Sequence, residues 1–447
     1  MKSALGLLKM SLRLPAGLLA GGHEVAVAIS FTVIFSSIAS ATDFNYQSYP
    51  LGERAAGMGG AYTALSNSPE GTFYNPAGII HIDKDTISLS ANIYHWTRGE
   101  AKNAISVAGT LANLPVKSMQ IIPTSTAYIK RFRLPTERDD GEKKNAFAFS
   151  VYVPNYFAYA GDVSVSNADV NSTVSLQVSD STILIGPSYA RKMTDNFSFG
   201  FSLFYHLRSF NRELFYRAET ATLFTQGYTD TEYSYGALEA VAGAKYKLPH
   251  NLSLGLSVRP YTLKINSSGK LYSSSVVIEN NVPQSTQELV SRNVRTNLAT
   301  PIRITTGIVY EKPIKYALSG DISFYLPHKF TSAHDNTGLF NDIKIDQNFV
   351  VNGNIGGEYY IGGKFPLRLG AFTNLSSTPD AEAGTAATSK IDYYGGTFSL
   401  GYEMGHTTYN IGAQYAYGVG KLLDSGGVAQ DFNIYTVTAL LSGSYRF

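Results

Sequence analysis

Residues 196–208 read Asn-Phe-Ser-Phe-Gly-Phe-Ser-Leu-Phe-Tyr-His-Leu-Arg. The odd positions (Phe197, Phe199, Phe201, Leu203, Tyr205, Leu207) are apolar, and the even ones are mostly small or polar. A period of two marks a strand with one greasy and one polar face. The pattern recurs at 251–260, where Leu252, Leu254, Leu256 and Val258 alternate with Asn251, Ser253, Gly255, Ser257 and Arg259, and again at 86–96, 145–154, 316–326, 367–375 and 409–420. Read outward from these stretches, the sequence predicts about fourteen strands, near 86–98, 118–131, 144–158, 178–192, 195–212, 231–247, 251–268, 300–311, 314–326, 346–361, 364–376, 391–404, 407–421 and 431–447. The fold class is therefore all-β. Strands of twelve residues or more exceed the usual five or six of a soluble sandwich and suit a tilted membrane crossing. The expected architecture is a transmembrane antiparallel β-barrel.

The connections and the composition point the same way. Short turns at 193–196, 248–251, 311–314, 362–365 and 404–407 alternate with long polar segments at 159–177, 213–230, 269–299, 327–345, 377–390 and 422–430. That asymmetry is the one expected of short periplasmic turns and long external loops. The charged stretch 132–143 is an exception, long where a short turn is due. Only 16% of the 447 residues are charged, against 41 Gly, 31 Tyr and 24 Phe, which fits a sheet facing a non-aqueous surface. Tyr94, Tyr205, Tyr310, Tyr402 and Tyr417 fall near strand ends, where interfacial girdles belong. A net charge of +2 supplies no field for binding nucleic acid. The absence of Cys excludes disulfides and thiolate chemistry.

Three segments are expected. Residues 1–41 have the order of a signal peptide: Lys2, Lys9 and Arg13, then the apolar run Val25–Ile38, then Ala39-Ser40-Ala41 with cleavage after Ala41. The start lies at Met1 or Met10. Residues 42–85 lack sustained alternation and carry glycines at 52, 57, 59, 60, 71 and 78, as suits a plug, or hatch, packed closely inside a lumen. Residues 86–447 form the barrel.

Leu51-Gly-Glu-Arg-Ala-Ala-Gly-Met-Gly-Gly-Ala-Tyr-Thr-Ala64, followed by Phe73-Tyr-Asn-Pro-Ala-Gly78, resembles the N-terminus of the FadL/TodX family of outer-membrane transporters of hydrophobic compounds. Leu441-Ser-Gly-Ser-Tyr-Arg-Phe447 is similar to the assembly signal of outer-membrane barrels, so Tyr445 and Phe447 are expected to address the barrel-assembly machinery. A branch of porin-like secretion components shares the glycine-rich and Asn-Pro-Ala stretches. The resemblance implies passive uptake: capture by external loops, a lumen pocket, hatch movement, and sideways exit through a gap in the wall into outer-membrane lipid.

By that resemblance Asn75, Pro76 and Ala77 sit in the hatch near the gap; read alone, Asn-Pro makes an ordinary turn. Pro154 cannot donate to a ladder. Either it ends strand three at the outer rim, or with Asn155 it marks the lateral opening, with Ser150 and Tyr152 facing inward beside it. The polar faces project Arg208, Glu239, Lys245, Arg259, Arg303, Asp321, Glu358, Arg368 and Glu403 inward, either as ion-pair ladders and water-lining groups or, for Arg208, Arg259 and Arg303, as forks for a ligand carboxylate. Phe215, Tyr216 and Phe224, with Leu214, Leu223 and Tyr228, either form an external capture groove or pack the loops together. No Gly-x-Ser-x-Gly elbow, His-x-x-x-His pair or metal-ligand spacing appears. His206 is read as a hydrogen-bonded lumen residue. Neither catalysis nor a cofactor is expected. The function that fits is energy-independent uptake of hydrophobic small molecules, long-chain fatty acids or aromatic hydrocarbons. The alternatives are a porin for polar solutes and a secretion or surface-interaction barrel.

Overall fold

The computed structural model describes residues 44–46, 48–107, 110–137, 142–166, 168, 170–380, 389–423 and 428–447, plus a short pairing of Lys9–Met10 with Phe31–Thr32. The expected leader and its cleavage point otherwise lie outside the described residues. From Thr86 onward the chain is almost continuous sheet. The strands are β1 (Thr86–Val107), β2 (Thr110–Phe132), β3 (Asn145–Ser166), β4 (Asn171–Lys192), β5 (Phe197–Glu219), β6 (Leu223–Lys247), β7 (Leu252–Arg259), β8 (Leu263–Glu279), β9 (Val282–Ser291), β10 (Val294–Thr296), β11 (Arg303–Lys312), β12 (Tyr316–Tyr325), β13 (His328–Asp335), β14 (Ile343–Gln347), β15 (Val350–Ile361), β16 (Phe365–Asn374), β17 (Ser389–Met404), β18 (Thr407–Leu423) and β19 (Ala429–Arg446). Fourteen of them, β1–β7, β11, β12 and β15–β19, close into an antiparallel barrel, sealed where β19 pairs β1 from Arg446↔Thr86 to Ile434↔Gly99. Each of the fourteen pairs with a neighbour on both sides, the arrangement that lipid requires of a spanning sheet.

The two faces of each strand change roles with height. On β4 the even residues face inward along the whole strand. Near the turn end the outward residues are Ile183, Ile185, Pro187 and Tyr189 and the inward ones include Thr182, Ser188 and Ala190. Further out, Ser175, Gln177 and Ser179 face outward while Val174, Leu176 and Val178 are buried. Towards the outer end the outward face turns polar and the inward face apolar.

That inversion corrects the expected loops. Segments 159–177 and 213–230 are the outer halves of β3, β4, β5 and β6, and much of 269–299 is β8 and β9. They read as polar loops because their apolar residues point into the barrel. Leu114, Val116, Tyr159, Leu176, Leu214, Tyr216, Ile391 and Phe432 join there in one apolar cluster. The 251–268 strand is broken at Pro260: β7 pairs β6 and β11 in the barrel, while β8 and β9 continue outward from the distal half of β6. A small sheet of β10, β13 and β14 packs against Tyr233 and Leu271 of this extension.

The short turns appear where expected. The β15–β16 turn uses Gly362 (φ +59°) and Gly363 (φ +72°) in succession, the left-handed pair that a tight hairpin demands. Aromatic pairs mark both borders of the apolar band: Phe365–Tyr402 and Tyr445–Phe447 at the turn end, and Trp96–Tyr435 at the outer end. Tyr94, Tyr402 and Tyr417 are exposed on the outside.

Candidate functional site

Residues 44–82 fill the lumen with two single-turn helices, α1 (Arg54–Gly57) and α2 (Gly71–Tyr74), and a 3-10 segment over Pro76–His81. A chain with so little regular structure leaves many backbone groups to be satisfied by other partners, and the barrel wall supplies them. The Tyr62 and Thr63 amides both donate to Asp321 at 2.7 Å. Thr397 donates to the Gly57 carbonyl, Asn354 to Gly59, Lys245 to Leu65, Ser202 to Thr72, Arg259 to Phe73 and Ser198 to Ala77. Arg54 is the charged anchor. Its Nη2 lies 2.6 Å and its Nε 3.0 Å from the two Glu358 oxygens, Nη2 is also 3.0 Å from Glu311, and Nη1 donates to Asn67. Arg368 holds the same Glu358 from the wall at 2.6 Å. Within the hatch, Glu70 accepts the Glu53 and Arg54 amides and the Ser68 hydroxyl.

Glycines on the wall make the necessary room. A Cβ at Gly370 would lie 2.2 Å from Gly59 N, one at Gly356 2.3 Å from Met58 O, one at Gly255 2.4 Å from Thr63 O, and one at Gly200 2.4 Å from Pro76 C. In each case the obstacle is hatch backbone.

The ladder between β2 and β3 breaks off partway along the wall. Pairing of β2 with β3 is confined to Ser125–Phe132 against Asn145–Tyr152. Carrying the Ser125↔Tyr152 register two residues outward places Pro123 opposite Pro154. Neither strand can donate there, and the ladder does not resume among the described residues. Pro154 therefore does not end its strand: β3 runs on to Ser166, shifted by a bulge between Tyr152 and Asn155 against β4. Pro123, which sequence reading missed, is the facing half of the device. A bulge in the β1–β2 pairing at the same level leaves Thr124 as the extra residue. Beyond the prolines, among the described residues, side chains tie the two strands: Gln120 Nε2 donates to the Ala158 carbonyl (2.5 Å) and the Tyr159 hydroxyl to the Pro115 carbonyl (2.9 Å). An open cavity of about 360 Å³ lies there, lined by Met119, Ala158, Tyr159 and Val178 together with the polar Lys117, Gln120, Gln177, Ser179, Asn211 and Glu213. Tyr159 and Val178 also belong to the apolar cluster of the upper lumen. From inside, the start of the hatch faces the break, with Tyr49 OH donating to the Val153 carbonyl (2.9 Å) and Ser48 Oγ to Asn155 Oδ1 (3.0 Å).

The residues singled out from sequence are distributed as follows. Ser150 and Tyr152 face inward and meet Thr72. Asn75 caps the 3-10 segment, accepting from the Ala77 amide and donating to Thr63 and Ala244 carbonyls. Pro76 and Ala77 pack on Gly200 and Gly243 of β5 and β6, so this stretch lies against those strands and not beside the break in β3, where Ser48 and Tyr49 sit. Arg208 is held by both oxygens of Asp180 at 2.9 and 2.7 Å. Arg259 pairs with Glu239, which also accepts from His206, and its guanidinium lies 4.1 Å from the Phe73 ring centre. Arg303 is half-buried, with its guanidinium 5.8 Å from the Phe73 ring centre, and makes no hydrogen bond among the described residues. Directly beside it across the ladders lie Arg259 and Tyr325, and the buried Tyr325 hydroxyl has no partner among the described residues. Tyr216 points into the upper apolar cluster, Phe215 lies opposite Tyr228 on the outside, and Phe224 stacks under Arg217.

No protein-family model matches the sequence, and no curated protein does either. Solved structures do. A FadL homologue from Pseudomonas aeruginosa superposes with a TM-score of 0.63 at 15% identity, covering 90% of this chain and 100% of that one. The Pseudomonas putida toluene transporter TodX gives 0.59 at 14% identity (90% and 99% covered), and the Ralstonia pickettii toluene transporter TbuX 0.56 at 15% (90% and 99%). Over nine-tenths of its length, the chain thus shares its fold with the FadL and TodX structures.

Proposed function

We propose that this protein is an outer-membrane channel for passive uptake of hydrophobic small molecules, delivered sideways through the break between β2 and β3. The observation that carries the reading is that break: a cavity in the wall adjoins an apolar upper lumen, and the hatch start faces it from within. Opening an ordinary ladder in lipid strands backbone groups at several kcal/mol each. Here the opposed prolines have already removed the donors, and passage disturbs only the Gln120 and Tyr159 ties. The solved structures of the same fold include toluene transporters, which supports the hydrophobic class.

Within that class we favour a ligand with a carboxylate, a long-chain fatty acid, over a hydrocarbon. Arg259 and Arg303 stand side by side on neighbouring strands, a repulsive pair unless a counter-charge joins them. Glu239 pairs with Arg259 and, with Asp321, also attracts Arg303, but Arg303 and the Tyr325 hydroxyl remain as hydrogen-bond donors. The membrane address is the outer membrane, reached after removal of residues 1–41 and with Tyr445 and Phe447 read by the assembly machinery.

Reconstituted protein is expected to bind a long-chain fatty acid with negligible ion conductance; steady conductance without binding would make it a porin. Arg303→Gln is expected to weaken the acid by about 10- to 100-fold, the worth of a charged hydrogen bond, and to leave a neutral hydrocarbon unchanged. Equal loss for both ligands in titration calorimetry would refute the carboxylate assignment. Pro123→Val with Pro154→Val returns two donors to facing positions. At about 1 kcal/mol per restored main-chain bond it is expected to slow fatty-acid transfer into liposomes about tenfold or more, with binding unchanged.

A further inference from the structure

On the side of the hatch away from the charged cluster, Glu53 faces a wall of uncharged polar residues. Between them is a cavity of about 10 Å³, room for a single water. Around it Ser90 Oγ, Asn92 Nδ2 and Ser399 Oγ are buried and have no partner among the described residues, and both polar atoms of Gln414 above are in the same state; Asn410 lies against the Glu53 carboxyl. Unsatisfied donors and acceptors side by side call for a molecule that is both, which is water. The polar column continues towards the turn end through Thr408 and Ser444 to Arg446, which reaches Thr408 and Glu403 and is partly open to solvent.

We propose that this column is a water-filled seam from the periplasmic mouth to Glu53, and that protonation of Glu53 sets how firmly the hatch is held against β1, β17, β18 and β19. This is independent of what the channel carries.

Every charge around Glu53 bears on the sign. The carboxylate of Glu70 lies on the hatch beside it and opposes ionisation. Arg368 of β16 favours ionisation but is engaged by Glu358 and Asn410. Arg54 is engaged by Glu358 and Glu311. The cavity lining from β1, β17, β18 and β19 contributes no ionisable side chain, only Ser90, Asn92, Ser399, Asn410 and their neighbours, of which Asn410, with nearby Ser444, hydrogen-bonds the carboxyl and favours ionisation. Burial, then Glu70, push the Glu53 carboxyl up to about 7. Because the docked value lies above the solvated one, docking gains from the proton fully at low pH. That gain is lost as pH rises through the docked value.

The test uses the full chain in lipid. An infrared band of a protonated carboxyl is expected at about pH 5, shifted promptly by D2O, gone at about pH 8, and missing in Glu53→Gln. Amide exchange over residues 51–60, corrected for its intrinsic pH dependence, is expected to quicken about tenfold or more across that range in the parent and to stay slow in Glu53→Gln. Glu70→Gln, which keeps the accepting oxygen, is expected to move the titration downward and serves if Glu53→Gln does not assemble. A dry site would show no D2O shift. That outcome, or a pH response unchanged by both substitutions, overturns the proposal.

Discussion

Arg54→Ala is expected to undock the hatch and convert a closed barrel into an ion-conducting one. The guanidinium joins three carboxylate contacts and Asn67 in one place, and Glu358, with 1% of its side chain exposed, is left facing only Arg368 once it is removed. Deleting one member of a buried ion pair costs about 3–5 kcal/mol, because the remaining charge stays desolvated. That loss falls on docking and spares the barrel, whose ladders do not include Arg54. Single-channel recording should therefore find open events absent from the parent, while the heat-resistant strand signal in circular dichroism persists. Arg54→Lys should fall between the two, since an ammonium cannot fork across both oxygens of Glu358. A silent Arg54→Ala channel would mean that the backbone contacts alone retain the hatch.

Gly370→Val is expected to reach the same end from the wall. Valine is a good strand residue, so β16 itself tolerates it. The added Cβ, however, would sit 2.2 Å from Gly59 N and 2.3 Å from the Met58 carbonyl carbon. Neither obstacle is a side-chain tip that can swing aside. Overpacking against a movable neighbour costs about 1–3 kcal/mol, and fixed backbone raises that. Gly353→Val is the control, since nothing lies within 4 Å of the added atom there. Conductance and faster amide exchange over residues 51–60 in Gly370→Val, with neither in Gly353→Val, are the expected pair of results. Identical behaviour of the two variants would show that the hatch is not moulded to the wall at this glycine.

How much of this was legible depended on which face of a strand carried the signal. Where β5 and β7 cross the bilayer, Phe197–Leu207 and Leu252–Val258 alternate with small polar residues, and period two suffices. On the outer halves of β3–β6 the apolar residues, Val174 and Leu214 among them, point inward, so the same period read as polar loop. Pro154 was visible because it interrupts an alternating run. Pro123 was not, because its meaning depends on register with another strand. The inward charges were legible as a set. Their common partner, the hatch backbone, was not, since contacts such as Asp321 to Tyr62 join residues more than 250 positions apart.

The opposed prolines divide the barrel into two hoops. Below them fourteen strands are joined all the way round, and the circumference is fixed by strand number and stagger. Above them β2 and β3 share no main-chain ladder among the described residues and are tied by Gln120 and Tyr159. Two strands so joined can part without breaking main-chain bonds; laddered ones cannot. The lower lumen keeps a set calibre, and most of the hatch is cast to it, while Ser48 and Tyr49 reach the break.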